Sequence, residues 1–210
     1  MINDPTDGVV TEISNWIINM TILNLFWFLL TLIGGVLFGW APATVAIMAA
    51  FRHQIRNTDK GQIIKIMWEE YRKNFLKANL IGLIIKISSI LLIFYSFTLT
   101  HWEGFWMLLF TVIFVIILIT FIMITLFIFP VYIHYKLVFV DYFKYAFIIG
   151  LSYLHFAVIM GVSLVMIFWL FSIFPGILLV FAVSLPAMFI THLSLYIFEK
   201  IENKKIQYKN

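Results

Sequence analysis

The 14 Lys and Arg residues of this chain are confined to three stretches, 52–86, 136–144 and 200–209, and the segments between them are almost purely apolar. No basic residue occurs in 1–51, 87–135 or 145–199. In multi-span membrane proteins basic residues gather in the cytoplasmic connections between spans. The alternation therefore predicts a chain that crosses a bilayer repeatedly, with its basic connections in the cytoplasm. Apolar residues make up 63% of the chain and charged residues 11%, against about a half and about a quarter in a soluble domain. A soluble fold of 210 residues has no core large enough to hide that share, so the bilayer must act as its solvent.

The same distribution excludes several classes of function. The net charge of +4 is not a nucleic-acid footprint, because the basic residues flank spans, where they orient the chain and meet anionic headgroups. The chain has no Cys, which rules out disulfides, thiol catalysis and thiolate metal sites. The opening residues, MINDPTDGVVTE, are acidic and lack the basic region of a signal peptide. The first apolar segment is expected to remain as an anchor.

A membrane-spanning helix needs about 20 apolar residues, and five segments qualify, at about 13–38, 80–99, 105–128, 153–171 and 176–198. The connections 100–104 and 172–175 are short enough to force antiparallel hairpins. The expected fold is all-α: one integral membrane domain, a polytopic helix bundle of five transmembrane helices with added cytoplasmic interfacial helices. Five crossings and a basic, cytoplasmic C-terminus place the N-terminus outside. Tryptophan favours the membrane boundary: Trp16, Trp102, Trp106 and Trp169 fall at predicted outer ends, Trp40 and Trp68 at inner ends, and Trp27 mid-span. An N-terminus inside would need a sixth crossing through 41–51, roughly 16 Å of helix against a hydrocarbon core of about 30 Å.

The region between the first two spans carries the most local signal. Gly34, Gly35 and Gly39 loosen the end of the first span, and Trp40-Ala41-Pro42 breaks it. Pro42 suits the first turn of a new helix, where a missing N–H costs nothing. That helix is expected over 42–56, with a small-residue face of Ala43, Ala46, Ala49 and Ala50 and with Thr44 placed to satisfy a backbone group freed at the break. A turn at 57–61 leads to a second helix over 62–79, whose apolar residues Ile63, Ile66, Met67, Tyr71, Phe75 and Ala78 recur at helical spacing. Its charged residues lie opposite, with Glu69 and Lys73 forming an i,i+4 pair. Both helices are read as lying in the inner interface, and 138–150 as a shorter element of the same kind.

Catalysis needs a clustered nucleophile, base or metal site. The chain has no HExxH, no GxSxG, no Gly-rich phosphate loop and no Asp or Glu inside any predicted span. It is expected not to be an enzyme and to use no cofactor and no metal. Carboxylates at mid-membrane mark ion-coupled transporters, and their lack argues against secondary transport. Lys86 is the one charge inside a span; it either snorkels to the inner headgroups or faces the bundle as a partner for an anion. His134, His155 and His192 fall on the inner thirds of three spans, as ordinary interfacial residues or, with Lys86, as the lining of a polar pocket. Asn24 is polar at depth and suits an interhelical hydrogen bond or a substrate contact. Pro186 is expected to kink the last span.

Residues 24–52, NLFWFLLTLIGGVLFGWAPATVAIMAAFR, resemble the start of the YesL-like family of bacterial integral membrane proteins. In that family a first span ending in Phe-Gly is followed by a Pro-Ala-Thr helix start and a basic residue, here Gly39, Pro42, Ala43, Thr44 and Arg52. Residues 68–79, WEEYRKNFLKAN, resemble the family's next segment through Trp68, Lys73 and Phe75. The chain departs from the pattern at Leu32-Ile33-Gly34, where Leu-Pro-Gly is usual. The family is uncharacterised biochemically. The resemblance implies a multi-pass protein of a Gram-positive bacterial cell membrane, encoded near components of sugar-uptake ABC transporters. The expectation that follows is a non-enzymatic accessory or regulatory partner of a carbohydrate ABC transport system, touching the lipid bilayer and possible ABC transporter subunits. The alternative is a small permease or channel subunit, which five spans could form only as a homo-oligomer.

Overall fold

The computed structural model describes residues 5–56, 62–99 and 101–207, all arranged as helices and their connections. In chain order the helices are α1 (Pro5–Ile33), α2 (Trp40–Arg56), α3 (Ile63–Leu99), α4 (Gly104–His134), α5 (Phe139–Ser152), α6 (Leu154–Ile173), α7 (Gly176–Phe181) and α8 (Ser184–Gln207). The turn expected at 57–61 lies outside the described residues. Among the described residues four helices are long and apolar enough to cross a membrane: Val10–Ile33, α3, α4 and α6. Their most apolar windows are at most 28% buried, as befits helices that face lipid over most of their circumference.

The helix expected at the inner interface is instead the centre of the bundle. Every residue of α2 from Ala41 to Phe51 is buried except Thr44, which is half-buried. α2 packs against α1, α3, α4 and α8. Its Ala-rich sequence explains the difference: a small-residue surface lets neighbouring backbones approach from several sides, where an amphipathic helix would leave one face to lipid. On α3 the matching notch is Ala78 and Gly82, four residues apart on one face. A Cβ on Gly82 would stand 2.6 Å from the Ala41 Cβ, so only glycine fits there.

The amphipathic pattern over 62–79 exists, but its apolar face meets protein. Ile63, Met67, Tyr71 and Ala78 are buried, while Lys65, Glu69, Arg72, Lys73 and Lys77 are exposed. This segment does not end at 79. It continues without a break into the next expected span, giving one helix of 37 residues, about 55 Å long. The Lys73 partner is Glu70, at 3.4 Å, rather than Glu69. α4 likewise runs past its expected end at 128, through Pro130, to His134. The 138–150 element is α5, whose Tyr142, Ala146, Ile149 and Gly150 are buried, largely through packing on α4.

Two helix interruptions define the architecture, and in each case side chains from distant helices complete the backbone. The first is the turn between Ile33 and Trp40. Gly39 packs directly on the Thr31 backbone, leaving no room for a side chain. The buried Tyr71 hydroxyl donates to the Leu30 carbonyl at 2.9 Å, and the Lys86 ammonium donates to the Leu37 carbonyl. Pro42 occupies the first turn of α2, and Thr44 Oγ1 donates to the Trp40 carbonyl at 2.7 Å while accepting from Trp27 Nε1 at 3.2 Å. The Trp27 indole, expected at mid-span, thus has its partner there.

The second interruption divides the expected last span into α7 and α8, so that segment is not one continuous crossing helix. The break falls at Ala182–Val183, four and three residues before Pro186, which has no N–H to offer the Ala182 carbonyl and crowds it, so the disruption expected from Pro186 lies on its N-terminal side. Asn24, fully buried in α1, bridges the break. Its Nδ2 donates to the Leu179 carbonyl at 2.9 Å and lies 3.5 Å from that of Leu178. Its Oδ1 accepts from the Val183 N–H at 2.9 Å and from that of Ser184 at 3.4 Å. One side chain therefore serves both the last carbonyls of α7 and the first amides of α8, groups a helix cannot satisfy for itself.

The Trp27–Thr44 bond and a cleft of about 600 Å³ shared by Glu12, Asn15, Trp16, Gln54, Ile55 and His192 set α1 antiparallel to α2. The first turns of α1 consequently lie beside the last turn of α2 rather than at the opposite end of the bundle.

Replacing Asn24 by Leu should keep the volume but orphan backbone groups on both sides of the break. The expected loss is about 2–4 kcal/mol, read as a lowered thermal midpoint of the detergent-purified protein. Leu25→Ala on the exposed side of the same turn should move the midpoint little.

Candidate functional site

The polar groups that the described residues do bring together lie at the end of the bundle where α2 finishes, α3 begins and α4 stops. They line a cleft of about 390 Å³. α2 contributes Arg52; α3 contributes Glu70, Lys73, Asn74 and Lys77 at intervals of three and four, hence from one face. Residues 132–137, at the end of α4 and just beyond, and Tyr142 of α5 close the opposite wall.

The cleft is organised by hydrogen bonds across elements. The Arg52 guanidinium donates to the Ile133 carbonyl, one of the last carbonyls of α4, which intrahelical bonding leaves unsatisfied and where the helix dipole favours a cation. Burial draws the Arg52 pKa down, Glu70 draws it up and Arg56 down; a guanidinium in this setting remains charged. Asn74 Nδ2 donates to Glu70 Oε2 at 2.7 Å and to its carbonyl at 2.9 Å. The Tyr132 hydroxyl donates to Asn74 Oδ1 at 2.9 Å, which ties α4 to α3. Beyond the helix end, the Leu137 N–H donates to the Tyr142 hydroxyl at 3.2 Å, and that hydroxyl lies 3.4 Å from the Tyr135 carbonyl. Burial, with Glu202, Tyr145 and Tyr153 nearby, pushes the Tyr135 phenol up to about 12, so it stays a neutral O–H group at any physiological pH.

The residues singled out from the sequence divide into three groups. Arg52, Lys73 and His134 meet in the cleft. Asn24, Gly39, Pro42, Ala43, Thr44 and Lys86 belong to the two interruptions and the buried helix. Lys86 lies on the Leu37 carbonyl, with its ammonium 5.3 Å from the Trp40 ring and 5.9 Å from that of Phe38. Trp68 stacks on Tyr71 at 6.1 Å with the Arg72 guanidinium 5.9 Å away, and Phe75 packs edge-on against Tyr71 at 5.5 Å.

The expected polar pocket of Lys86, His134, His155 and His192 does not assemble. His134 Nε2 meets Glu202 of α8 at 3.0 Å. His155 is exposed on α6 against Phe156, at 4.4 Å, and His192 faces the start of α1. Helical spacing alone could have put Asn74 beside Glu70. Their pairing with Tyr132, Tyr135 and Tyr142, by contrast, spans sequence distances that no local pattern reports.

Residues 20–97, from within α1 to the end of α3, match the model of a protein family described as protein of unknown function DUF624. Three proteins of Bacillus subtilis (strain 168) are similar. The uncharacterized protein YteU is 30% identical over 191 residues, which cover 88% of this chain and 83% of YteU. The uncharacterized protein YesV is 34% identical over 139 residues, or 64% of each chain. The uncharacterized protein YesL is 24% identical over 205 residues, or 98% of this chain and 96% of YesL. No solved structure matches.

Arg52→Met should remove the charge at the end of α4 and lower stability by about 1–3 kcal/mol. Thermal unfolding in detergent would measure it. Arg52→Lys should recover part of the loss, since an ammonium keeps the charge but lacks the planar fork of donors.

Proposed function

The chain belongs to the YesL-like family, and on that premise we propose that it is a non-enzymatic membrane accessory protein that partners or regulates a carbohydrate ABC transport system. The observation that supports this reading is where the polar chemistry lies. The cleft and the exposed charged face of α3 stand together at one end of the bundle, with Arg52, Glu70, Lys73, Asn74 and Lys77 inside the residues that the family model matches and the opposite wall, 132–137 and Tyr142, beyond them. The deep polar groups of the spans are occupied elsewhere: Asn24 and Lys86 are bonded to the chain's own backbone, which leaves a permease or channel without the polar path it would need. A photoreactive residue in place of Arg72 or Lys144, both exposed, should crosslink in native membranes to a membrane subunit of a carbohydrate ABC transporter in sugar-grown cells. The lack of any such adduct at both positions would overturn the proposal.

We further infer that the N-terminus lies on the cytoplasmic side, with the C-terminus. The basic stretches assign the α2–α3 connection to the cytoplasm, and the antiparallel packing of α1 on α2 brings the N-terminal turns of α1 to the same end. This replaces the outside N-terminus expected from five full crossings. An impermeant thiol reagent applied to intact cells should label Cys at Glu103 and leave Cys at Glu12, Gln62 and Asn203 untouched; these four positions are exposed. Labelling of Cys at Glu12 from outside would restore the earlier arrangement.

A further inference from the structure

We propose that the cleft between α3 and the end of α4 binds one phosphate group, carried by an anionic lipid headgroup or by a soluble phosphorylated compound. This inference stands apart from the choice of protein partner.

The charge balance of the cleft is the starting point. Four cationic side chains line it, Arg52, Lys73, Lys77 and Lys136, with Glu70 as the one carboxylate in the lining. Glu70 is already engaged: Asn74 donates to it at 2.7 Å, and Lys73 pairs with it at 3.4 Å. The neighbouring Glu202 meets His134 at 3.0 Å. Among the described residues Arg52, Lys77 and Lys136 form no salt bridge, Arg52 feeling Glu70 only at longer range, and they converge from three directions: the end of α2, the first half of α3 and the residues after α4. Unlike charges spread over a surface, these share one cavity of about 390 Å³, which would raise their mutual repulsion if it held no anion.

The chemistry of the wall selects the anion. A guanidinium and two ammonium groups offer many donors and an excess of positive charge, which suits the tetrahedral phosphate group, with its two or three terminal oxygens and one or two negative charges. The Tyr135 side chain, held as a neutral O–H group, adds a donor without charge. The Arg52 guanidinium is half-buried and oriented by the Ile133 carbonyl, so one member of the set is fixed in advance rather than ordered on binding. The cleft also opens beside the junction of apolar helix and basic connection, where lipid headgroups lie.

The test uses the full chain in nanodiscs and the variant Lys77→Gln/Lys136→Gln, whose two changes fall on exposed side chains and, by relieving repulsion among the cations, should not lower the thermal midpoint of the phosphate-free protein. In discs of phosphatidylcholine alone, inorganic phosphate is titrated and the shift in thermal midpoint followed. In discs of phosphatidylcholine and phosphatidylglycerol in equal parts, retained phosphatidylglycerol is counted by native mass spectrometry after release from the disc. A saturable phosphate shift that the variant weakens about tenfold or more supports the site with a soluble ligand. Phosphatidylglycerol retained by the native chain and lost by the variant supports it with a lipid. If the native chain and the variant behave alike in both arms, the cleft binds no phosphate group and the proposal falls.

Discussion

Inside a bilayer an unpaired amide or carbonyl has no water to turn to, and the rest of this structure depends on how that constraint is met where its helices break. The chain interrupts itself between Ile33 and Trp40 and again at Ala182–Val183. At the second site the amide side chain of Asn24 performs the work of a helical turn, accepting from two N–H groups and donating to the chain that precedes them. At the first site Tyr71 and Lys86, both from α3, donate to the carbonyls of Leu30, which also accepts from the Gly34 N–H, and of Leu37. The first and last thirds of the chain are thus joined by one asparagine, and α1 and α3 by two donors. None of the three is free to line a path across the membrane.

The interruptions make room for α2. A helix buried on all sides in a membrane bundle gains no hydrophobic transfer energy from leaving lipid, so close van der Waals contact has to hold it. Its alanines, with Gly82 opposite Ala41, supply that contact by letting backbones approach. About 25 Å of helix then suffices, because α2 need not present an apolar surface to lipid across the whole hydrocarbon thickness. This is why a segment too short for an independent crossing can run back along α1.

Polar chemistry follows from the same economy. The charges of Arg52, Glu70, Lys73 and Lys77 lie on α2 and the first part of α3, which α4, α5 and α8 wrap at one end of the bundle. Arg52 illustrates the coupling of fold and site: its bond to the Ile133 carbonyl closes the end of α4 and at the same time orients a cation into the cleft. A side chain with both tasks links the stability of the bundle to the shape of the surface that a ligand or partner would meet.

Composition and the placement of basic residues determined that this is an all-helical membrane bundle, because hydrocarbon admits only helices and closed barrels, and continuous apolar runs of about 20 residues suit helices where barrel strands would alternate. The same reasoning located four of the spans, the break before Pro42 and the first-turn role of that proline, all local properties of backbone and side chain. Asn24 was legible as a buried polar group, though not its partner some 155 residues away. The tertiary structure decided that 42–56 is the buried centre and not an interfacial helix, since small residues suit close packing and a shallow surface position equally well in sequence. It decided that Ile63–Leu99 is one helix, since the change from charged to apolar at residue 79 marks a change of surroundings and not of backbone. It also decided which polar residues share a cleft. Counting along separate spans put the three histidines and Lys86 at one level, but Lys86 lies at the turn before α2 and His134 at the end of the bundle where α2 finishes, and depth in any case does not specify the direction in which a side chain points. Rotation about the helix axis is set by packing against neighbours, and that packing exists only once the bundle is assembled.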